Sequence, residues 1–368
     1  MRPRISPLCL HVALVIASLA APLSAADLCA KTASLSPRPA WIKSAIWVSP
    51  PVGKILAVDS AMNRIILYDS DGTGTILTDK LLPGLLALSG DRILLKLVGM
   101  HAQSFDSKTL GDFRPHSVLN SVKTPLGPLA AVYQWVGVDH SLLATGLVLK
   151  DKVKDDFQAG LFRLPADEER ARAAELLVPV SAWDYYVLGY QYLTSTATTT
   201  AGGGTGYFLD MDGPARLFEI PPGGAARELV GAVPLEVRNV PHIDATLNGP
   251  QEAPPLFDKL ARLKMATGIY GGPDGNVYLL AREPASKGGK SWWLYRISPK
   301  GKLLGKALLP SYAQHLSIVV SPDTFYLFER GAVNPYGGQD IPTVVAVPAK
   351  VLEQAPLQGI EVCSGVRQ

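Results

Sequence analysis

Short apolar runs separated by turn residues alternate along most of the chain. The clearest example lies in residues 266–309, where the turn Gly272-Pro273-Asp274-Gly275-Asn276 precedes the run Val277-Tyr278-Leu279-Leu280-Ala281. Apolar, β-branched and aromatic runs bounded by Gly, Pro and Asp are typical of β-strands. Four such runs in this stretch predict an antiparallel unit of four strands, which cannot bury both of its faces alone.

The same pattern recurs along the chain, with Ser321-Pro322-Asp323 before Phe325-Tyr326-Leu327 and with the hairpin Leu67-Tyr68-Asp69-Ser70-Asp71-Gly72. It predicts six units, which span approximately residues 43–82, 83–123, 129–180, 183–233, 265–310 and 314–350. A repeat of about this length, each copy a four-stranded sheet, is the signature of a β-propeller.

These turns and strands resemble those of the six-bladed β-propellers of the NHL, YWTD and TolB-like group, particularly its exported bacterial members. The resemblance covers most of residues 27–368. It implies an all-β fold, a single domain of six four-stranded antiparallel blades. Strand spacing leaves two alternatives open: a two-domain β-sandwich, and a seventh blade, because the middle units lack the Pro-Asp turn.

Three segments depart from the repeating pattern of strands and turns. Residues 165–178 are rich in helix formers, and they fit either a helix or a turn followed by a fourth strand. Residues 233–265 form an insertion, in which Pro254-Pro255 is expected to open a short helix near 250–264. The stretch Thr194 to Gly206 contains mostly Thr, Ser, Ala and Gly, so it is expected to be a flexible loop.

The first 26 residues have the order of a secretory signal peptide. Arg2 and Arg4 precede an apolar run from Leu8 to Leu19, and Ser24 and Ala26 occupy the small-residue positions of a cleavage site. The apolar run is shorter than the roughly 20 residues that a membrane-spanning helix needs. The chain is therefore expected to be periplasmic or secreted, with no integral membrane span in its mature form.

Removal of the signal peptide leaves two cysteines, Cys29 and Cys363, one near each end of the mature chain. In an oxidising compartment such a pair favours a disulfide. The alternative is two unrelated free thiols.

Composition narrows the class of partner. Lys plus Arg is 35 and Asp plus Glu is 32, a formal net charge of +3, which gives no support for nucleic-acid binding. A hydrophobic content of 47% shows that the chain is able to bury a large core. The expected partner is therefore a protein or a small-molecule ligand.

Catalytic and cofactor motifs do not appear in the sequence. There is no His-Glu-x-x-His, Gly-x-Ser-x-Gly or Cys-x-x-Cys pattern. Asp69-Ser70-Asp71-Gly72-Thr73-Gly74 resembles a calcium loop, but a hairpin turn explains it better. Trp292 and Trp293 are adjacent in a predicted strand, so one should lie in the core and the other should pack on a neighbouring blade.

Candidate ligand-binding residues follow from fold-level analogy, because ligands of propellers usually meet the face that carries the loops between second and third strands and the connections between blades. On the predicted register that face includes the candidates Asp59, His242, Arg282, His315, Glu329 and Arg330. Arg282 and Arg330 take equivalent positions in adjacent units and could clamp a carboxylate or phosphate. The alternative is two solvated arginines paired with Glu283 or Glu329.

The sequence thus favours a binding or scaffold module that holds a ligand on its loop-rich face. The alternative is a metal-dependent hydrolase or lactonase, with a divalent cation such as calcium at the channel mouth, for which no ligand set can be identified. An electron-transfer or quinoprotein partner is disfavoured, because no c-type haem motif is present.

Overall fold

The computed structural model describes residues 29–79, 83–97, 99–116, 123–124, 126–138, 141–151, 156–165, 174–180, 196–199, 204–211, 214–238, 263–284, 290–311, 313–332, 342–354 and 360. Their strands form six antiparallel sheets, which we call blades 1 to 6 in chain order. Two short helices, α1 (Leu235–Arg238) and α2 (Ala349–Gln354), occur in this part of the chain.

The strands of the first half begin with β1 (Lys31–Ser34), which precedes blade 1. Blade 1 contains β2 (Ile42–Val48), β3 (Lys54–Asp59), β4 (Arg64–Tyr68) and β5 (Gly74–Thr78). Blade 2 contains β6 (Pro83–Ser89), β7 (Arg92–Leu97), β8 (Ala102–Asp106) and β9 (Arg114–His116). Blade 3 contains β10 (Lys123–Thr124), β11 (Gly127–Val138), β12 (Ser141–Asp151), β13 (Asp156–Pro165) and β14 (Glu175–Val180).

The second half supplies three more blades. Blade 4 contains β15 (Thr196–Thr199), β16 (Gly206–Asp210), β17 (Arg216–Ile220) and β18 (Arg227–Glu228). Blade 5 contains β19 (Met265–Gly271), β20 (Val277–Pro284), β21 (Lys290–Ile297) and β22 (Leu303–Leu308). Blade 6 contains β23 (Ala313–Val320), β24 (Thr324–Ala332) and β25 (Thr343–Pro348), and its fourth strand is β1.

The blades close into a ring. In each pair of successive blades the inner strands contact one another, from β2 through β6, β11, β15 and β19 to β23, and β23 contacts β2 again. A separate cluster of buried apolar side chains lies at each of the six junctions between neighbouring blades. This arrangement confirms the expected six-bladed β-propeller, and a two-domain sandwich does not describe it.

Blade 5 shows how the sequence produces a blade. The turn between β19 and β20 is closed by a hydrogen bond from Gly272 N to Asn276 O at 2.8 Å. Gly275 has a φ of +77°, which a residue without a Cβ adopts at little cost. The Asp274 carboxylate accepts hydrogen bonds from Asn276 N at 3.0 Å and from the Tyr278 hydroxyl at 2.9 Å, so the turn is tied to the strand that follows it.

The two tryptophans of β21 lie on opposite faces of blade 5, as expected. Trp292 belongs to the apolar cluster between blades 5 and 6, and Trp293 packs against the cluster between blades 4 and 5. Within the described residues, no helix is long and apolar enough to cross a bilayer.

The observed strands decide the structure of parts of two segments that depart from the repeat, residues 165–178 and 194–206. Residues 175–178 belong to β14, so the turn and fourth strand, and not the helix, describe the end of segment 165–178. The expectation of a flexible loop from Thr194 to Gly206 is wrong for Thr196–Thr199, which is β15, the inner strand of blade 4. Residues 194–195 and 200–203 lie outside the described residues. Threonine is β-branched and suits an extended backbone, and pairing with β16 supplies the order that composition does not reveal. The helix expected near 250–264 lies almost wholly outside the described residues.

Candidate functional site

The candidate residues that are described lie toward one face of the ring, here called the upper face, which carries the loops between second and third strands and the connections between blades. Asp59, Arg282, Glu329 and Arg330 lie toward the upper ends of second strands, and His315 lies near the upper end of an inner strand. His242 lies outside the described residues.

A pocket of about 120 Å³ opens where blade 6 meets blade 1, and we call it the junction pocket. Its apolar walls include Leu35, Trp41, Ile42, Leu316, Phe328 and Pro342. His315, Ser317 and Glu329 also border it. The pocket therefore brings together two of the predicted residues, His315 and Glu329, with a wall supplied by the segment between β1 and β2.

His315 and Ser317 lie on the side of blade 6 that faces blade 1. Ser317 pairs with Phe328 in the β23–β24 ladder, and Phe328 belongs to the apolar cluster between blades 6 and 1. Side chains two residues apart on a strand share a face, so His315 has the same orientation. Its ring centroid lies 6.5 Å from that of Trp41, at an interplanar angle of 43°.

Glu329 borders the same pocket, but its side chain lies on the opposite face of blade 6. It pairs with Leu316 in the ladder, one residue out of step with Phe328. Its carboxylate accepts a hydrogen bond from the Thr343 hydroxyl. His315 and Glu329 therefore do not form one polar cluster, although both lie at the upper end of blade 6.

Asp59 is a structural partner of the pocket and does not line it. Its side chain is fully buried at the end of β3. Its two oxygens accept hydrogen bonds from Ala40 N at 3.0 Å, Trp41 N at 2.9 Å and Arg64 Nε at 3.0 Å. Ala40 and Trp41 form part of the pocket wall. Asp59 therefore holds the backbone of that wall without lining the pocket.

Blade 4 repeats this pair of side chains. Asp210 is fully buried at the end of β16, and its Oδ2 accepts hydrogen bonds from Arg216 Nε at 3.2 Å and Nη2 at 2.5 Å. Asp210 and Arg216 are cross-strand partners, as Asp59 and Arg64 are. Blades 1 and 4 thus use the same Asp–Arg pair at the same hairpin, on opposite sides of the ring.

Arg282 is not solvated, in contrast to the alternative of two solvated arginines. It is 8% exposed, as is Lys290 on the neighbouring strand β21. Burial lowers the pKa of the Arg282 guanidinium. Burial, and secondarily the charge of Arg282, lowers the pKa of Lys290. The upper end of blade 5 therefore contains two neighbouring, largely buried cations.

The clamp formed by Arg282 and Arg330 stays a prediction. The backbone of Arg330 pairs with His315 in β23, and its side chain lies outside the described part of the chain. Glu283, one of the expected partners, is engaged elsewhere: it accepts a hydrogen bond from Trp293 Nε1 at 2.6 Å and lies 3.1 Å from Lys264 Nζ.

The Asp69–Gly74 segment is a hairpin turn. Asp69 N donates to Thr73 O at 2.7 Å, and Asp71 Oδ1 accepts from Thr73 N at 2.9 Å and from Thr73 Oγ1 at 2.7 Å. Among the residues that are described, no three His, Cys, Asp or Glu side chains converge as metal ligands would.

Several pocket residues carried no signal that sequence reasoning used. Trp41 is distant in the chain from Ser317 and Phe328, and it meets them only because the ring closes. The Asp–Arg pair could have been found: in blades 1 and 4 an Asp that ends a strand is followed, five or six residues later, by the Arg that binds it.

Comparison of the sequence with known families and curated proteins finds no match. No family model matches the chain. No curated protein matches it either.

Comparison of the structure with solved structures finds β-propeller proteins. A gluconolactonase of Xanthomonas campestris superposes with a TM-score of 0.51 at 12% identity, over 86% of this chain and 89% of that one. A luciferin-regenerating enzyme has a TM-score of 0.47 at 11% identity, over 90% of this chain and 98% of that one. At such identities the likeness shows the fold alone. With its closed ring of six sheets, the chain is a six-bladed β-propeller whose candidate site lies where the first and last blades meet.

Proposed function

We propose that this protein is a binding module that anchors a partner in the junction pocket. The observation that carries the proposal is the pocket itself, which is walled mainly by apolar side chains and contains two hydrogen-bonding side chains, His315 and Ser317, on its blade 6 side. Apolar walls with a few polar groups are the usual character of a ligand site, since the walls supply binding energy and the polar groups fix orientation.

The size of the pocket limits its occupant. Sites for drug-sized molecules enclose about 300–1,000 Å³, and the junction pocket has about 120 Å³. A 150 Å³ apolar cavity is known to take up benzene. The pocket therefore suits one ring or one branched side chain, which supports a peptide or protein partner that inserts a single anchor residue.

The walls also indicate what kind of anchor fits. Trp41 and Phe328 supply aromatic surface, and Leu35 and Ile42 supply aliphatic surface. Aromatic pairs gain about 0.5–1.5 kcal/mol beyond their area of burial. An aromatic anchor such as Phe or Tyr is therefore preferred over an aliphatic one of similar length.

The proposal includes export and a terminal disulfide. Residues 1–26 have the sequence of a signal peptide, so the module would act in the periplasm or outside the cell. Ala30, next to Cys29, and Ile360, three residues before Cys363, belong to the same apolar cluster. That proximity supports a Cys29–Cys363 disulfide; Cys363 itself lies outside the described residues.

The competing hypothesis is a metal-dependent hydrolase or lactonase. Its support is the fold shared with the Xanthomonas gluconolactonase, at an identity that carries no activity across. Metal content of the purified mature protein, with a thermal melt before and after EDTA, separates the two. A stoichiometric divalent ion and a fall in Tm on its removal would contradict the pure binding module.

The binding proposal is tested with capped amino acids as probes. N-acetylphenylalanine amide should shift the NMR signals of Trp41 and His315 at millimolar concentration, and N-acetylalanine amide should not. Burying a Phe side chain contributes only about 1.5–3 kcal/mol, so weak affinity is expected from a single residue. A phenylalanine probe that leaves both signals unmoved overturns the proposal.

A pocket-filling variant gives the matched control. Ser317→Leu places a larger side chain in the pocket and should abolish the shifts caused by the phenylalanine probe. Thr267→Leu makes a related change on the inner strand of blade 5, away from the pocket, and should leave them unchanged. Equal effects of the two substitutions would place the probe outside the junction pocket.

A further inference from the structure

A buried carboxylate ties the wall of the junction pocket to blade 1, where Trp41 O also accepts a hydrogen bond from Ser60 N at 3.0 Å. Asp59 accepts the backbone N–H groups of Ala40 and Trp41, the two residues that come immediately before β2. Arg64 donates to the same carboxylate from the next strand and also to the carbonyl oxygen of Arg38. The Asp59–Arg64 pair therefore binds the amides of Ala40 and Trp41 and the carbonyl of Arg38.

The rest of that segment is held less directly. The Tyr68 hydroxyl donates to Pro37 O at 2.7 Å, and Ser36 N donates to Gly72 O at 3.0 Å. These contacts involve Ser36 and Pro37, which do not line the pocket, whereas Leu35 and the residues from Pro39 to Ile42 do. Among the bonds to the wall residues Ala40 and Trp41, those to Asp59 are charge-assisted, which makes them stronger than bonds between neutral groups.

Asp59 does not border the pocket. It acts on an occupant only through the backbone that it holds. A wall fixed before binding spares the ligand the entropy cost of ordering that wall, so affinity depends on how firmly the wall is held.

We propose that Asp59 is the positioning residue of the junction pocket, and that its bonds to Ala40 and Trp41 hold the wall in the conformation that accepts an aromatic anchor. This inference rests on the binding function proposed above. It reassigns Asp59 from a ligand-contacting candidate to a residue that controls the site without touching the ligand.

Blade 4 offers the matched control. Asp210 is as buried as Asp59 and binds an arginine on the next strand in the same way, but neither residue of this pair borders the junction pocket. Asp59→Asn and Asp210→Asn remove the same charge from equivalent hairpins. A purely structural role predicts similar consequences for the two, and a positioning role predicts different ones.

The experiment combines hydrogen exchange with probe binding. In Asp59→Asn the amides of Ala40 and Trp41 should exchange at least tenfold faster, and the affinity for N-acetylphenylalanine amide should fall at least fivefold. In Asp210→Asn both quantities should stay within twofold of the wild type. Equal affinity of wild type and Asp59→Asn for the probe overturns the inference and leaves the binding function standing; a wild type that does not bind overturns the binding function itself.

A measurement without substitution covers the case in which Asp59→Asn does not fold. If opening of the wall prevents binding, saturating probe must slow exchange of the Ala40 and Trp41 amides in the wild type by the factor 1 + [L]/Kd. Exchange that slows by this factor supports the inference. Exchange that is unchanged while the probe is bound overturns it.

Discussion

Lys31 of β1 pairs with Ala346 of β25, so the first described strand of the chain completes the last blade. Thr32, Ala33 and Ser34 continue the ladder against Val345, Val344 and Thr343. A strand from near the start of the chain is thereby built into the last blade, and the segment that follows β1 becomes a wall of the junction pocket.

The proposed disulfide should reinforce this closure. Cys29→Ser, Cys363→Ser and the double substitution should each lower the free energy of unfolding of the oxidised protein by the same amount. The chain-entropy model puts the upper bound near 5 kcal/mol for so long a loop. Urea unfolding measures the loss. Additive losses, or two reactive thiols in the folded and unreduced protein, would show that the cysteines are not joined.

A glycine substitution should report the contact between the blade 1 hairpin and the closing segment. Gly72 has a φ of +85°, and a Cβ there would lie 2.6 Å from Ser34 O. Gly53 has a φ of +59° with nothing within 4 Å of an added Cβ. Both Gly→Ala changes incur the left-handed penalty of about 1–2 kcal/mol. Only Gly72→Ala adds a clash with the backbone, so it should lower the free energy of unfolding more than Gly53→Ala does, as measured by urea unfolding. Equal losses would mean that the hairpin shifts to relieve the clash at no cost.

The junction between blades 5 and 6 should depend on one indole hydrogen bond. Trp292 Nε1 donates to Ala313 O at 2.8 Å across this junction, and both residues are buried. Trp47 Nε1, in the junction between blades 6 and 1, has no hydrogen-bond partner among the described residues. Trp292→Phe should therefore cost about 1–3 kcal/mol more than Trp47→Phe in thermal or urea unfolding, because it leaves a buried carbonyl unsatisfied. Equal costs would show that packing alone decides the strength of these junctions.

The protein should unfold cooperatively in alkali. Burial raises the pKa of five tyrosine hydroxyls whose residues are almost inaccessible: Tyr68, Tyr207, Tyr278, Tyr295 and Tyr326. Their unfolded pKa is about 10. Below pH 10 both states hold these protons, and above it only the folded state does, so stability falls as pH rises. A tyrosine contributes at most about 1.4 kcal/mol of loss per pH unit, over the range in which its hydroxyl is ionised in the unfolded state and protonated in the folded state.

Tyr68, Tyr278 and Tyr295, whose pKa values are raised most, would together remove about 4 kcal/mol per pH unit above pH 10, which approaches the whole stability of a marginally stable domain. Absorbance at 295 nm should therefore rise in two phases, with the second phase coinciding with the loss of far-UV circular dichroism. All 13 tyrosines titrating near pH 10 with the dichroism unchanged would contradict this expectation.

The sequence predicted the fold well where its signals are local. The turn at Gly272–Asn276 and the apolar run after it are adjacent, and the structure forms the β19–β20 hairpin there. The sequence did not predict those strands that are ordered only by pairing with another strand. Lys31–Ser34 has no apolar periodicity, and it becomes a strand only because β25 offers an edge. Thr196–Thr199 is likewise ordered by β16.

The candidate site was less predictable for the same reason. His315 and Glu329 were identified from their place in the repeat, and both border the pocket. Their opposite orientations follow from ladder register, which a shift of one residue would invert. Trp41 could not be assigned to the site, because its partner His315 lies at the other end of the chain and meets it only across the closed ring.

The closing strand also sets an order of events for the newly made chain. β1 is synthesised first, but its partner β25 is among the last strands to be completed. Contacts between such distant segments are slow to form. Blades 1 to 5 can therefore be assembled while the ring is still open, and both the pocket and its wall come into existence only at the final step. A chain cut short before Thr343 would keep most of its blades and lack the closed junction pocket.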